Sequence, residues 1–313
     1  MQDFSKRKTK GTAKVLIAIS ITLLVYGVTL NILTTLGIVE TTKISAKPKT
    51  DTPIISITPS DGNELVTDDG SDNNGSNNRV YSATDKENLA LRNEIEKEFS
   101  IKVKYGKETE GYTVGGVSTV PITDSSVANK ALNDLYDALS LYPVGIFKEI
   151  KNGGIPLTII LINNYSEYGV TGVTDSSYEY ANISIAAIYD FNDSFFHESY
   201  HYIERYMFKK RATFNSWDTL NPGTFEWGTI DGSLSYSNTF KEDAYFVNNY
   251  AQTSAAEDRA STFEYMMAPT KASCLNNGTV VWNKANYMAL TIESVFDTVS
   301  PDSIEYWERF IRD

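Results

Sequence analysis

The chain has 313 residues and a formal net charge of −12, with 40 Asp and Glu against 28 Lys and Arg. This acidic balance argues against a nucleic-acid partner, which is bound through a basic face. Cys274 is the single cysteine, so an internal disulfide is excluded, and no histidine outside one short stretch could form a Cys-His pair with it.

The first predicted element is a membrane anchor. Residues 1–14 are basic, and residues 15–39 follow without a charge. This run can span a bilayer core of about 30 Å, and it is too long for the apolar core of a cleaved signal peptide, which has about 7–15 residues. Because positive charge stays on the cytoplasmic side, we expect a single-pass cell-membrane protein with its N-terminus inside and the remainder extracytoplasmic. Such a chain suits a bacterial surface.

Residues 40–82 form a second segment that is rich in Ser, Thr, Asn, Asp, Gly and Pro. It cannot bury enough apolar surface to offset the entropy of ordering, so we expect a flexible stalk. Its acidic run "DDGSDNNG" misses the spacing of an EF-hand and has no glutamate at the twelfth position, which favours a solvated linker over a calcium site. Residues 83–313 then remain for one globular domain.

Hydrophobic periodicity predicts the elements of this domain in chain order. Helices are expected at 83–99 and 124–143, the second capped by Asp124 or Ser125, and strands at 100–107, 155–163 and 181–191. A further helix, capped by Asp193 or Ser194, contains "FFHESYHYIERYM", and we expect strand 181–191 to form the sheet edge beside it. Residues 214–237 should be irregular and border a cleft, and the chain closes with helices at 254–268 and 283–299, the latter supplemented by 303–313. The fold class is therefore α+β, with a small mixed sheet and a mostly helical C-terminal half.

The two histidines of the chain, His197 and His201, lie four residues apart, with Glu198 beside the first. Positions i and i+4 stand on one helix face, so both imidazoles can reach one metal ion. They lie beside an apolar stripe, which favours a metal site over two core histidines. The stripe consists of Phe196, Tyr200, Ile203 and Met207.

A catalytic zinc takes three protein ligands and leaves one position to water. With no histidine left, the third ligand is predicted to be a carboxylate, and Glu257 at the start of a helix is our choice. Ser254-x-x-Glu257 also matches a capping box, in which Glu257 would only bond the Ser254 N–H. Four other carboxylates stay open as ligands: Glu264, Glu242, Asp243 and Asp258.

We expect one Zn²⁺ per chain. Glu198 would then be the general base, which takes a proton from the metal-bound water and passes it to the leaving amine. Tyr250 could donate its phenol O–H to the oxyanion of the transition state, although packing is the default role of a tyrosine.

These residues resemble the gluzincin metallopeptidases of the anthrax lethal factor and Pro-Pro endopeptidase type, over about residues 181–267. Residues 197–201 match the HExxH motif of this family. The motif further along the chain reads roughly E-x-x-A-E-x-F, here "EDRASTF", and a tyrosine lies seven residues before its first glutamate. The resemblance implies a zincin-like fold, Glu257 on the metal and Tyr250 at the transition state. Ser261 replaces the second glutamate of the motif, and Tyr200 stands where the family commonly has glycine.

The leading hypothesis is a membrane-anchored, extracytoplasmic zinc endopeptidase that acts on peptides or proteins. One alternative is a catalytically inactive zincin-fold surface domain that binds a peptide or protein partner on its edge strand. Retention of Glu198 favours the enzyme, because a binding module needs no general base. A structural zinc is the third hypothesis, but such sites usually close with four protein ligands.

Overall fold

The computed structural model describes residues 83–167, 169–236 and 243–312. Its α-helices are α1 (Ala83–Phe99), α2 (Ser125–Leu139), α3 (Ile146–Asn152), α4 (Phe191–Lys209), α5 (Ala255–Met267) and α6 (Val280–Glu293). Its strands are β1 (Lys102–Tyr105), β2 (Thr113–Val114), β3 (Val117–Val120), β4 (Leu157–Ile162), β5 (Asn164–Tyr165), β6 (Gly172–Ser176) and β7 (Ala181–Ala186). None of the helices in these ranges is long and apolar enough to cross a bilayer. The predicted basic N-terminus, anchor (15–39) and stalk (40–82) lie outside the described residues.

The main sheet has four strands in the order β1-β4-β7-β6. Strands β1, β4 and β7 run parallel, and β6 is antiparallel to β7, so the sheet is mixed as predicted. Apolar runs in β4 and β7 are buried on both faces, with Ile159 opposite Ile183 in the register. Continuous apolar runs of this kind are typical of strands covered on both sides. A second sheet, β2-β3-β5, is antiparallel and packs beside the first.

The prediction that strand 181–191 forms the edge of the sheet was wrong. Strand β7, expected at the edge, is interior because β6 pairs with its outer side. The β7 strand also ends at Ala186 instead of continuing to Phe191, and Ile188 is 52% exposed. Periodicity does not reveal β6, since its five residues "GVTDS" neither alternate nor form an apolar run. An edge strand beside the histidine helix is nevertheless present.

Helix α4 packs its predicted apolar stripe into the core. Phe196, Tyr200, Ile203 and Met207 are at most 2% exposed. The helix begins at Phe191 after Asp190, earlier than the predicted caps, and the Asp193 carboxylate binds Lys271 instead of capping. Helix α2 is capped by Asp124 as predicted, through bonds from the N–H groups of Ser126 and Val127.

Two buried ion pairs connect the helices of the C-terminal half. Arg259 of α5 binds Glu204 of α4, and Lys284 of α6 lies 2.7 Å from Asp258 of α5. Because a buried charge is costly unless paired, these contacts hold α5 in a defined position between α4 and α6. The predicted helix at 303–313 was wrong, since the described residues of this segment form a single 3₁₀ turn, Tyr306–Glu308.

Candidate metal centre

Both histidines lie on the side of α4 that faces α5. His197 is buried at 7% exposure and His201 is partly exposed, and their ring centroids are 5.1 Å apart. The two rings come from successive turns of one helix, so the i and i+4 spacing produces the shared face that it predicts.

Glu257 lies in the first turn of α5 and reaches both rings. Its Oε2 is 2.9 Å from His197 Nε2 and 3.5 Å from His201 Nε2. Ser254 Oγ accepts a hydrogen bond from the Glu257 N–H (3.2 Å), so this half of the capping box is made. The carboxylate itself points to the histidines and is available as a ligand.

The three side chains suit zinc in chemistry and spacing. Their ligand atoms, two imidazole nitrogens and a carboxylate oxygen, all lie within 4.8 Å of one another. Tetrahedral zinc about 2.0–2.1 Å from each ligand keeps ligand atoms roughly 3.3 Å apart, close to the two distances from Glu257. His197, His201 and Glu257 therefore form a group that could hold a metal ion.

The charges around His197 favour a cation at this position. Burial alone would lower the pKa of His197, but hydrogen bonds to Glu257 and Glu264 raise this pKa to about 10. The two histidines in turn lower the pKa of Glu257, against the opposing effect of burial. The carboxylates thus stabilise positive charge where a metal dication would be bound.

Glu264, an open alternative for the third ligand, contacts the other ring nitrogen of His197. Its Oε2 is 3.4 Å from Nδ1, whereas Glu257 faces Nε2. Lys271 binds Glu264 Oε1 at 2.6 Å and also pairs with Asp193 at the start of α4. A carboxylate that orients the second nitrogen of a ligating histidine is the usual support of a metal site. Sequence reasoning missed Lys271, which no motif marks.

The remaining alternatives do not join this group. Asp258 is fully buried and paired with Lys284, and Glu242 lies outside the described residues. Asp243 is not part of the His/Glu group found among the residues that the structure describes. Ser261, which replaces the second glutamate of the family motif, is buried in α5. Tyr200 packs in the core, with its ring centroid 5.1 Å from that of Phe263.

Glu198 packs against the backbone of strand β6. A Cβ atom built on Gly172 would lie 2.7 Å from Glu198 Cγ. The Thr174 hydroxyl donates a hydrogen bond to the Glu198 carbonyl oxygen (3.0 Å), which ties β6 to this turn of α4. The predicted general base is therefore held between its helix and the sheet edge.

Tyr250 lies beside the same group. Its ring centroid is 5.7 Å from that of His197, and the residue as a whole is 55% exposed. Burial around the hydroxyl, with the charges of Glu257 and Glu198, raises the pKa of Tyr250 above its usual value, so the phenol is an O–H donor at neutral pH. The 3₁₀ turn Tyr250–Gln252 is braced by loop 214–236, because Gln252 bonds the backbone of Asp231.

Two cavities lie on either side of the group. One, of about 630 Å³, is bordered by His197, Glu198 and Tyr250, and the other, of about 270 Å³, by His201 and Glu257. Strand β6 borders both, through Gly172 and Thr174 respectively. Loop 214–236, expected to form a wall of the cleft, contributes no residue to either lining among those described.

The outer side of β6 is open for pairing, as no described strand bonds to it. The Ala186 N–H donates to Thr171 O (3.0 Å) at one end of the β6–β7 ladder, and the Ser177 N–H donates to Tyr180 O (2.8 Å) at the other. Hydrogen-bonded positions alternate in an antiparallel ladder. The β6 residues that direct backbone N–H and C=O groups away from β7 are therefore Gly172, Thr174 and Ser176.

Neither protein-family models nor curated proteins match the chain. A solved structure of a proposed zinc-binding metallo-peptidase from Bacteroides caccae ATCC 43185 is 14% identical, with a TM-score of 0.48, and the match covers 74% of this chain and 94% of that one. A likeness this distant leaves function to be inferred from the site itself.

Proposed function

We propose that the chain is a zinc-dependent endopeptidase. The observation that carries this proposal is the His197, His201 and Glu257 group, which two helices hold beside the open edge of β6. Glu198 adjoins the same cavity as His197, so a potential proton acceptor and one of the three candidate ligands border one space. An N,N,O ligand set with a neighbouring free carboxylate is typical of hydrolytic zinc sites.

The substrate is an extended peptide that pairs with β6. The outward N–H and C=O groups of Gly172 and Thr174 bond its backbone, as in other cases of strand addition. Side chains on either side of the cleaved bond enter the two cavities, since β6 borders both. The metal group lies between the cavities, which supports cleavage within a chain.

Bound zinc would supply Lewis-acid polarisation of the substrate carbonyl and acidify water to a pKa near 7. Glu198 accepts a proton as the water oxygen bonds to the carbonyl carbon. It then gives that proton to the amide nitrogen as the C–N bond breaks, which leaves an acid and an amine. Tyr250 donates its O–H to the oxygen that becomes negative.

We also propose that residues 15–39 anchor the chain in the membrane and that residues 83–313 lie outside the cytoplasm. This proposal is supported by the uncharged run at 15–39 behind a basic N-terminus. Accessibility of the domain to protease added to intact cells tests the orientation, and protection of residues 83–313 in intact cells would reject it.

The experiment that tests the site is zinc content of the purified chain and its Glu257→Ala variant. We expect about one zinc per chain in the parent and a large loss in the variant, because two histidines alone bind weakly. Glu226→Ala, which removes an exposed loop carboxylate, is the matched control and should retain the metal.

Glu198→Gln tests the chemistry, with a peptide library as substrate. This variant should keep its zinc and lose hydrolysis, since the amide cannot accept a proton. Zinc retained by Glu257→Ala would remove Glu257 as a ligand, and undiminished hydrolysis by Glu198→Gln would remove Glu198 as the base. A zinc-binding parent that binds peptides but cleaves none would indicate the binding domain instead.

A further inference from the structure

Gly172 occupies a position where a side chain does not fit. A Cβ atom there would lie 2.7 Å from Glu198 Cγ, 3.2 Å from its Oε1 and 3.3 Å from its Cδ. Contacts of a Cβ below about 3.0 Å are essentially absent from proteins. The Gly172 backbone is not left-handed, so its conformation does not require glycine. Glycine also weakens a strand, which makes packing against Glu198 the reason for it.

Neither partner can easily move away. Strand β6 is held by its ladder to β7 and by the bond from the Thr174 hydroxyl to the Glu198 carbonyl oxygen. The contact involves Cγ, in the middle of the Glu198 side chain, so rotating the carboxylate alone cannot relieve it. A side chain at position 172 must therefore change the rotamer of Glu198 or displace the strand.

We propose that Gly172 is a positioning residue: its missing side chain provides the space in which the Glu198 carboxylate is held beside the candidate metal group. This role rests on the proposed function of Glu198 as general base. The backbone groups of Gly172 remain free to bind substrate, so the same residue lets the base and the substrate backbone approach each other closely. Displacement of a catalytic group by about 1 Å can cost roughly 100-fold in rate.

The first test compares the kinetics of the full chain with those of Gly172→Ala. We expect kcat to fall about 100-fold while KM changes little, because alanine keeps the backbone groups that bind substrate. In the Glu198→Gln background the same substitution should cause no further loss. Gly153→Ala is the steric control: its Cβ would collide with Tyr206, which lies eight residues beyond Glu198 on α4, so stability should fall but kcat should not.

The second test needs no activity. Gly172→Ala should lower the Tm of the parent by a few degrees, but not that of Glu198→Ala, in which the obstructing side chain is gone. Gly223→Ala, at an exposed glycine with open space around it, should leave the Tm of both unchanged. Zinc affinity should be equal in parent and Gly172→Ala, since the atoms nearest the added Cβ belong to Glu198 and not to the three candidate ligands.

The results of these tests distinguish the positioning role of Gly172 from the proposed peptidase function. A Tm loss that persists in Glu198→Ala, or a Gly172→Ala variant with parental kcat beside an inactive Glu198→Gln, overturns the role of Gly172 alone. A Glu198→Gln variant as active as the parent overturns the proposed function, and the catalytic role of Gly172 with it. The Tm comparison then still decides whether the contact exists.

Discussion

Replacing Lys284 by methionine should strongly destabilise the fold. Lys284 Nζ lies 2.7 Å from Asp258 Oδ2, and both side chains are completely buried. Trp217 Nε1 donates to the same carboxylate oxygen (2.7 Å), and the Lys284 ammonium lies 4.0 Å from the centroid of the Phe246 ring. Methionine fills the space of the lysine stem but leaves Asp258 as a buried charge without its cation.

Breaking a buried pair by removing one partner costs about 3–5 kcal/mol. A domain of this size loses roughly 2–4 °C in Tm for each kcal/mol, so we expect a fall of about 6–20 °C. The exposed pair of Lys130 and Asp134 provides the control, because Lys130 is 70% exposed and such i,i+4 pairs contribute about 0.5 kcal/mol or less. Lys130→Met should therefore leave Tm nearly unchanged.

The loss should also depend on pH. Burial raises the pKa of Asp258 in the parent, against the attraction of Lys284, and removal of the cation raises this pKa further. In the unfolded chain an aspartate titrates near pH 4. Below about pH 4 the carboxyl is protonated in both states and the penalty is small. It grows as pH rises past the folded pKa of Asp258 in the parent toward the higher folded pKa in the variant, because over that interval the carboxyl ionises beside Lys284 in the parent but stays protonated in the folded variant.

Thermal unfolding of parent, Lys284→Met and Lys130→Met from about pH 4.5 to pH 8 measures both effects. A Lys284→Met variant with parental Tm at pH 8, or a penalty that shrinks as pH rises, would refute the account of Asp258 as a buried, compensated charge.

Three further results are expected. Glu264→Gln should weaken zinc binding about 10–100-fold, measured by chelator competition, because the amide supports His197 less well than the carboxylate does; equal affinity would reject this support. Tyr250→Phe should lower kcat about 100–1,000-fold with zinc affinity unchanged, whereas parental kcat would remove Tyr250 as an oxyanion donor. Cys274 is 7% exposed and burial raises its pKa to about 12, so a thiol reagent should label it only upon unfolding; rapid labelling of the native chain would contradict this burial.

The histidine helix could be predicted because its signals are local. Four apolar residues at helical spacing placed the stripe, and the i, i+4 histidines placed the shared face. The sequence leaves two roles open for Glu257, since a capping box and a metal ligand predict the same residue at the same helix position. The direction of its carboxylate depends on how α5 packs against α4, which the sequence pattern does not contain.

Features that depend on long-range contacts were missed. Strand β6 has no alternation, and its pairing with β7 follows from the hairpin and the open side of the sheet. The importance of Gly172 therefore could not be predicted. The C-terminal "SIEYWERFIRD" shows helical spacing of Trp307 and Ile311, but Glu305 and Glu308 cap a single turn and Arg312 pairs with Glu293 and Glu308. Tertiary contacts at this terminus override local propensity.

The shortness of β6 limits what its open side can do. Three outward residues provide at most six backbone hydrogen bonds, which together contribute about 3–9 kcal/mol net, whereas association itself costs about 4–15 kcal/mol. A second copy of the chain gains little by pairing there, so the exposed strand is a poor template for aggregation. A bound peptide gains equally little from its backbone, whatever its sequence. Discrimination between peptides must then come from the two cavities, where substitutions could redirect selectivity and leave the metal group intact.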